Sequence, residues 1–144
     1  MADREKEIRL FRRAADQRWA AAEFLFTHRF FVDAVYLAGY VVECSLKASV
    51  LKHTPQRGFA AILAQLTEVG AKGHNIEYLK SLLKDRLRRG GRKDREAFGL
   101  LTEPFQRVAS WSTSLRYYVG ALKHDTAKLF MDAVQEIREW SRRS

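Results

Sequence analysis

Apolar residues recur along this chain at helical spacing in segment after segment, and nowhere do they alternate over a useful length as a strand would. Ile8, Phe11, Ala15, Trp19, Ala22 and Phe26 follow one another at steps of three and four, which predicts a first long helix running to about Thr27. A second runs from about Phe30 to near His53, where Thr54-Pro55 breaks it. Phe59, Ile62, Leu63, Leu66 and Val69 predict a short helix that Gly70 and Gly73 close. His74-Asn75 opens the next, with Ile76, Leu79, Leu82, Leu83 and Leu87 on its core face. Asp94 is placed to cap a helix bearing Phe98, Leu101, Phe105, Val108 and Trp111, with a kink or break at Pro104. Residues 110–120, polar and aromatic together, read as an ordered loop. Asp125-Thr126 then caps a last helix carrying Ala127, Phe130, Val134, Ile137 and Trp140. These elements predict an all-α fold: an antiparallel up-and-down bundle of about five to six helices, in one domain over 1–144.

The second helix has the most unusual pattern. At 100° per residue, Ala34, Val35, Leu37, Ala38, Val41, Val42, Ser45, Leu46, Ala48, Ser49 and Val50 occupy more than half of its circumference. A helix apolar or small over so wide an arc belongs inside a bundle. What remains is a narrow strip in which Tyr36, Tyr40, Glu43 and Lys47 line up at i, i+4, i+7 and i+11. Two readings of that strip stay open: a solvated edge with an ordinary Glu43–Lys47 pair, or a groove facing a ligand or a second subunit.

Composition adds a class and a charge. A chain of 144 residues, 47% hydrophobic and with only two prolines, is long enough for a self-sufficient core and unlike a disordered chain. The single cysteine, Cys44, lies on the buried helix and reads as a small core hydrophobe. The charged start over residues 1–8 does not resemble a signal peptide, and no uninterrupted apolar run reaches the roughly 18 residues of a membrane span. A cytoplasmic protein without membrane association is the expectation. Net charge is +9, with a pI near 10, a balance that attracts phosphates. It concentrates over residues 84–95, where Lys84, Arg86, Arg88, Arg89, Arg92, Lys93 and Arg95 face only Asp85 and Asp94 around Gly90-Gly91. The reading is a basic inter-helix loop, either merely solubilising or binding phosphate through Arg86, Arg88, Arg89, Arg92, Lys93 and Arg95.

Motifs of chemistry are sparse. His28, His53, His74 and His124 are scattered, and neither a HExxH nor a CxxC arrangement occurs. Gly90-Gly91 lacks the spacing of a phosphate loop, and there is no GxSxG. Neither a metal nor a cofactor is expected, and hydrolase or oxidoreductase chemistry has no positive signal. Two constellations remain: Tyr36, Tyr40, Glu43 and Lys47, and, late in the chain, Trp111, Arg116, Tyr117, Lys123 and His124. An arginine among aromatics needs an anion, and Glu43 is the only acid in the middle of the buried helix, so Arg116 and Glu43 are expected to meet. Tyr36, Tyr40, Glu43, Lys47, Arg116 and Tyr117 then form the candidate groove. Trp111 reads first as core, and His74-Asn75 as a helix-start cap.

Residues 21–25 (Ala-Ala-Glu-Phe-Leu), the run Tyr36-x-x-Gly39-Tyr40-x-x-Glu43-x-x-x-Lys47-Ala48, His74-Asn75 and Trp111 with Arg116-Tyr117 together resemble the HEPN domain. The resemblance covers about residues 8–140. It implies an all-α bundle, commonly a homodimer with its groove at the dimer interface. It also implies one of three activities: a metal-independent RNase, the toxin half of a pair with a minimal nucleotidyltransferase antitoxin, or a nucleotide- or RNA-binding module without catalysis. Catalytic members carry Arg, four to six residues, then His, a spacing absent here. Arg116 and His124 have seven residues between them, and Lys47 to His53 has five but begins with Lys, which lacks the planar fork that grips two oxygens.

Three functions follow as expectations. The first is a HEPN-like interaction module, toxin-antitoxin-like, that engages a nucleotidyltransferase-fold partner and nucleotide or RNA. The alternative is a metal-independent RNase using Arg116 and His124, or Lys47 and His53. The third is a helical assembly protein whose charge only solubilises it, with weak and strongly salt-dependent affinity for nucleic acid.

Overall fold

The computed structural model of the chain describes residues 3–67, 74–118 and 120–144. Among these, all regular structure is helical. Seven α-helices follow in order: α1 (Arg4–Thr27), α2 (Phe31–Lys52), α3 (Phe59–Leu66), α4 (Ile76–Arg88), α5 (Arg92–Gly99), α6 (Thr102–Val108) and α7 (His124–Arg143). Short 3₁₀ turns lie at Gln56–Gly58 and Thr113–Tyr117.

The bundle is built around α2. Phe31, Ala34, Val35, Ala38, Val41, Val42, Leu46, Ala48, Val50 and Leu51 are all buried along it, as the wide apolar arc predicts. α1, α4 and α7 pack on its sides, and α6 packs on α7. α1 and α2 form an antiparallel hairpin through a three-residue turn. In it the Phe30 amide bonds the Leu25 carbonyl (2.8 Å) and the Arg29 amide the Phe26 carbonyl (3.0 Å). Arg29 takes φ 67° there, the left-handed position that usually belongs to glycine. α7 crosses α2 closely because serines meet at the crossing. Ser141 Oγ donates to the Ser45 carbonyl (2.8 Å) and pairs with Ser49 Oγ (2.7 Å).

By length and composition α2 is apolar enough to cross a membrane, with a mean hydropathy of 1.3 over its best window. Counting uninterrupted apolar runs does not reveal this. Here 78% of that window is covered by the other helices, the situation of a core helix.

The helix starts shift where charge and capping compete. α5 begins at Arg92 with Gly91 as its cap, so Asp94 falls in its first turn instead of capping it. α7 begins at His124 after Lys123, which puts Asp125 in its first turn as well. Both acids still favour the positive end of the helix dipole. The expected long helix through Pro104 is two helices, α5 and α6, broken ahead of the proline. Pro104 sits in the first turn of α6, where its missing N–H has no intrahelical acceptor to forgo. This break accounts for a seventh helix. Asn75 caps α4 through Oδ1, which accepts from the Tyr78 amide (3.0 Å). Val69, Gly70 and Gly73, the expected end of the third helix, lie outside the described residues.

Candidate functional site

The polar strip of α2 is enclosed. Glu43 is 5% and Lys47 6% exposed, so the strip is no solvated edge. Lys47 Nζ donates to Glu43 Oε2 at 3.0 Å, and Phe11 of α1 lies 5.8 Å from the same ammonium. The other carboxylate oxygen, Oε1, is 2.8 Å from Nδ1 of His74 at the entry to α4. An ionised carboxylate only accepts, so His74 presents Nδ1–H to Glu43 and keeps Nε2 for other partners. A buried carboxylate thus serves two nitrogens from two helical segments, and the buried Lys47 ammonium is costly without it.

Trp111 closes the strip from above. Its indole N–H donates to the Tyr36 carbonyl at 3.0 Å, and its ring meets Tyr40 edge-on at 5.0 Å. Tyr40 in turn stands edge-on to Tyr36 (5.2 Å) and near His74 (6.1 Å), while the Tyr36 and Tyr40 hydroxyls are 3.1 Å apart. The indole reaches this place because Gly39 has no side chain. A Cβ on Gly39 would stand 1.9 Å from Trp111 Cε2. The Tyr-x-x-Gly-Tyr-x-x-Glu-x-x-x-Lys spacing is therefore a seat for one tryptophan plus an anchor for one histidine.

Beside this cluster opens a cleft of about 360 Å³, lined by His74, Asn75, Glu77, Trp111, Ser112 and Thr113. A carboxylate-oriented imidazole at such a rim can hold an anion or hand on a proton. Trp111 also borders an apolar groove of about 300 Å³ formed with Val35, Leu115, Leu122, Leu129 and Phe130. Leu129 is half-exposed at its rim.

The remaining sequence candidates fall in several places. The side chain of Arg116 lies outside the described residues, and with it the expected meetings of Arg116 with Glu43 and with His124. Tyr117 is 74% exposed and belongs to the surface next to the cluster. His124 opens α7, with Nδ1 3.0 Å from Asp125 and its ring 5.3 Å from Phe26 and 5.6 Å from Phe31. Lys47 and His53 do not form a pair. Lys47 is held by Glu43, while His53 caps the far end of α2 with its Nε2 buried and lacking a hydrogen-bond partner among the described residues. Burial pushes the His53 pKa below the ordinary value, against the pull of Asp94. Burial, reinforced by Glu43, raises the Cys44 thiol to about 11. In the basic segment Arg86 is half-buried, and Arg88, Arg89, Arg92, Lys93 and Arg95 are exposed.

The role of His74 is what the sequence reading missed. It precedes the true cap, Asn75, and its partner lies 31 residues away, beyond any periodicity. Among the described residues no group of three His, Cys, Asp or Glu side chains is placed to hold a metal ion. No family model, no curated protein and no solved structure matches this chain.

Proposed function

We propose that this chain is a HEPN-like binding and interaction module. In this reading it is a cytoplasmic homodimer and the HEPN half of a nucleotidyltransferase-associated, toxin-antitoxin-like system. It binds RNA or nucleotide without a standard nuclease motif. One observation carries the reading: seven of the residues behind the resemblance, Tyr36, Gly39, Tyr40, Glu43, Lys47, His74 and Trp111, meet in one packed cluster. Their spacing thus has a common physical purpose, and it is architectural. Lys47 is buried and held by Glu43, so it is not free to take a phosphate. The apolar groove beside Trp111, with half-exposed Leu129 at its edge, is the kind of surface that protein partners cover.

The test is incubation of the purified protein with a fluorescent, mixed-sequence single-stranded RNA in EDTA, read by anisotropy for binding and by gel for cleavage. Binding that weakens with salt, with the RNA intact, is the expected result. Cleavage that both Arg116→Ala and His124→Ala abolish would replace the module with a metal-independent RNase. Absence of binding under low salt would leave the nucleic-acid part of the reading without support. Co-purification with the product of an adjacent small nucleotidyltransferase gene tests the partner.

A further inference from the structure

Part of the excess positive charge of this protein is gathered into one groove. α4 and α5 lie side by side with a shallow groove of about 200 Å³ between them. Its floor is apolar, made by Leu87 and Phe98, and its walls carry Lys84, Arg88 and Arg95, with Gly99 at one end. Lys84 and Arg88 are one helical turn apart on α4, about 6 Å along the axis, and Arg95 comes from α5.

What sets these three cations apart is that they line one groove together while the nearby acids pair elsewhere. Asp85 lies 3.8 Å from Arg89, and Glu96 lies 2.8 Å from Arg92. Lys84, Arg88 and Arg95 have no carboxylate partner among the described residues, so three like charges share one concave surface uncompensated. An apolar floor lowers the local dielectric and strengthens both their mutual repulsion and their attraction for an anion.

We infer that this groove seats the phosphate backbone of single-stranded RNA, an inference that rests on the RNA-binding reading above and assigns it a place. Size argues for a strand over a free nucleotide, because pockets that enclose small ligands run to about 300–1,000 Å³ and this groove is smaller. It suits a succession of phosphates that pass through it without being enclosed. Arg89, Arg92 and Lys93, exposed around the connecting loop, extend the same positive field beyond the groove and steer the strand toward it. Recess argues for a single strand, which bends to follow a groove between two helices where a stiff duplex meets only its rims.

The experiment measures anisotropy with a fluorescent single-stranded RNA at several salt concentrations, for the whole chain and three variants. The groove variant Lys84→Gln/Arg88→Gln/Arg95→Gln removes the three walls. A control, Lys6→Gln/Arg9→Gln/Arg13→Gln, removes equal charge from exposed positions of α1. Gly99→Glu adds an acid at the groove end, where an added Cβ meets nothing within 4 Å, and so tests the groove without disturbing packing. Circular-dichroism melts report that each variant is folded.

The groove variant should lose about tenfold or more in affinity, and its slope of log K against log salt should flatten by about two, since each phosphate contact on a single strand contributes about 0.7. Gly99→Glu should weaken binding in the same sense, and the α1 control should stay within about threefold. Equal losses in the groove and α1 variants would overturn the inference, because binding would then follow total charge. Equal affinity for duplex RNA or for inorganic triphosphate would overturn it too. Wild-type binding that the groove variants leave intact refutes this site alone, whereas a wild-type protein that binds no RNA refutes the reading beneath it.

Discussion

Replacing Gly39 by alanine tests the cluster at the point where its geometry is tightest. The new Cβ would lie 1.9, 2.0 and 2.3 Å from Cε2, Nε1 and Cδ1 of Trp111, all inside the distance that real methyl groups tolerate. α2 cannot retreat, since it is packed by α1, α4 and α7, so the indole must leave. Overpacking of this kind costs about 1–3 kcal/mol. Loss of the indole N–H bond to Tyr36 adds about 1 kcal/mol, and loss of the edge-on contact with Tyr40 adds about 0.5–1.5 kcal/mol. Against this, glycine to alanine inside a helix gains about 0.5–1 kcal/mol. The net expectation is about 1.5–5 kcal/mol of destabilisation, or a fall of roughly 5–15 °C in Tm for a chain of this size. Urea titration and thermal melting followed by circular dichroism give the number. A double-mutant cycle gives the cause: in a Trp111→Ala background the same glycine substitution should be neutral or stabilising. A Gly39→Ala protein as stable as wild type or more so would refute the seating of Trp111 on Gly39. It would also remove the physical reason for the Gly-Tyr step.

Three other outcomes follow from the same chemistry. Glu43→Gln strands the Lys47 ammonium in the interior and should cost about 3–5 kcal/mol in urea titration; Glu43→Gln/Lys47→Met, which removes both charges, should recover most of that loss. Burial lowers the folded-state pKa of His53 below 6.5, so the unfolded chain binds its proton first as pH falls. The stability this residue contributes is therefore complete above pH 6.5 and is lost as pH drops through the folded pKa; His53→Gln should flatten that part of the stability–pH curve, and an unchanged curve would contradict it. Cys44, raised from 9.0 to about 11, should carry about a hundredfold less thiolate at pH 8 than an ordinary cysteine. Iodoacetamide should modify it readily only in denaturant, and rapid labelling of the folded protein would contradict the raised pKa.

The parts of this molecule that were legible in the sequence are those governed by local periodicity. α2 could be placed inside the bundle because a helix with so wide an apolar arc has no stable surface position, and the Thr54-Pro55 stop and the Asn75 cap act within a few residues of themselves. The starts of α5 and α7 were less legible. Asp94 and Asp125 satisfy a first-turn charge preference as well as a capping preference, and sequence does not say which of the two a given acid will meet. The candidate site lay mostly beyond reach for a different reason. Glu43 and Lys47 share a helix, so their pairing can be read at i, i+4, but nothing local distinguishes an exposed pair worth little from a buried one that organises the interior. That distinction depends on Trp111 and His74, which arrive from 68 and 31 residues further along than Glu43. The same holds for the basic segment. Its charge is countable in sequence, but which cations remain uncompensated depends on which side of each helix its acids occupy. Asp85 and Glu96 pair locally with Arg89 and Arg92. The surplus of this segment is thereby left to Lys84, Arg86, Arg88, Lys93 and Arg95, three of which, Lys84, Arg88 and Arg95, line one groove. Net charge makes this protein attractive to any polyanion, and the distribution of its acids gives that attraction a location.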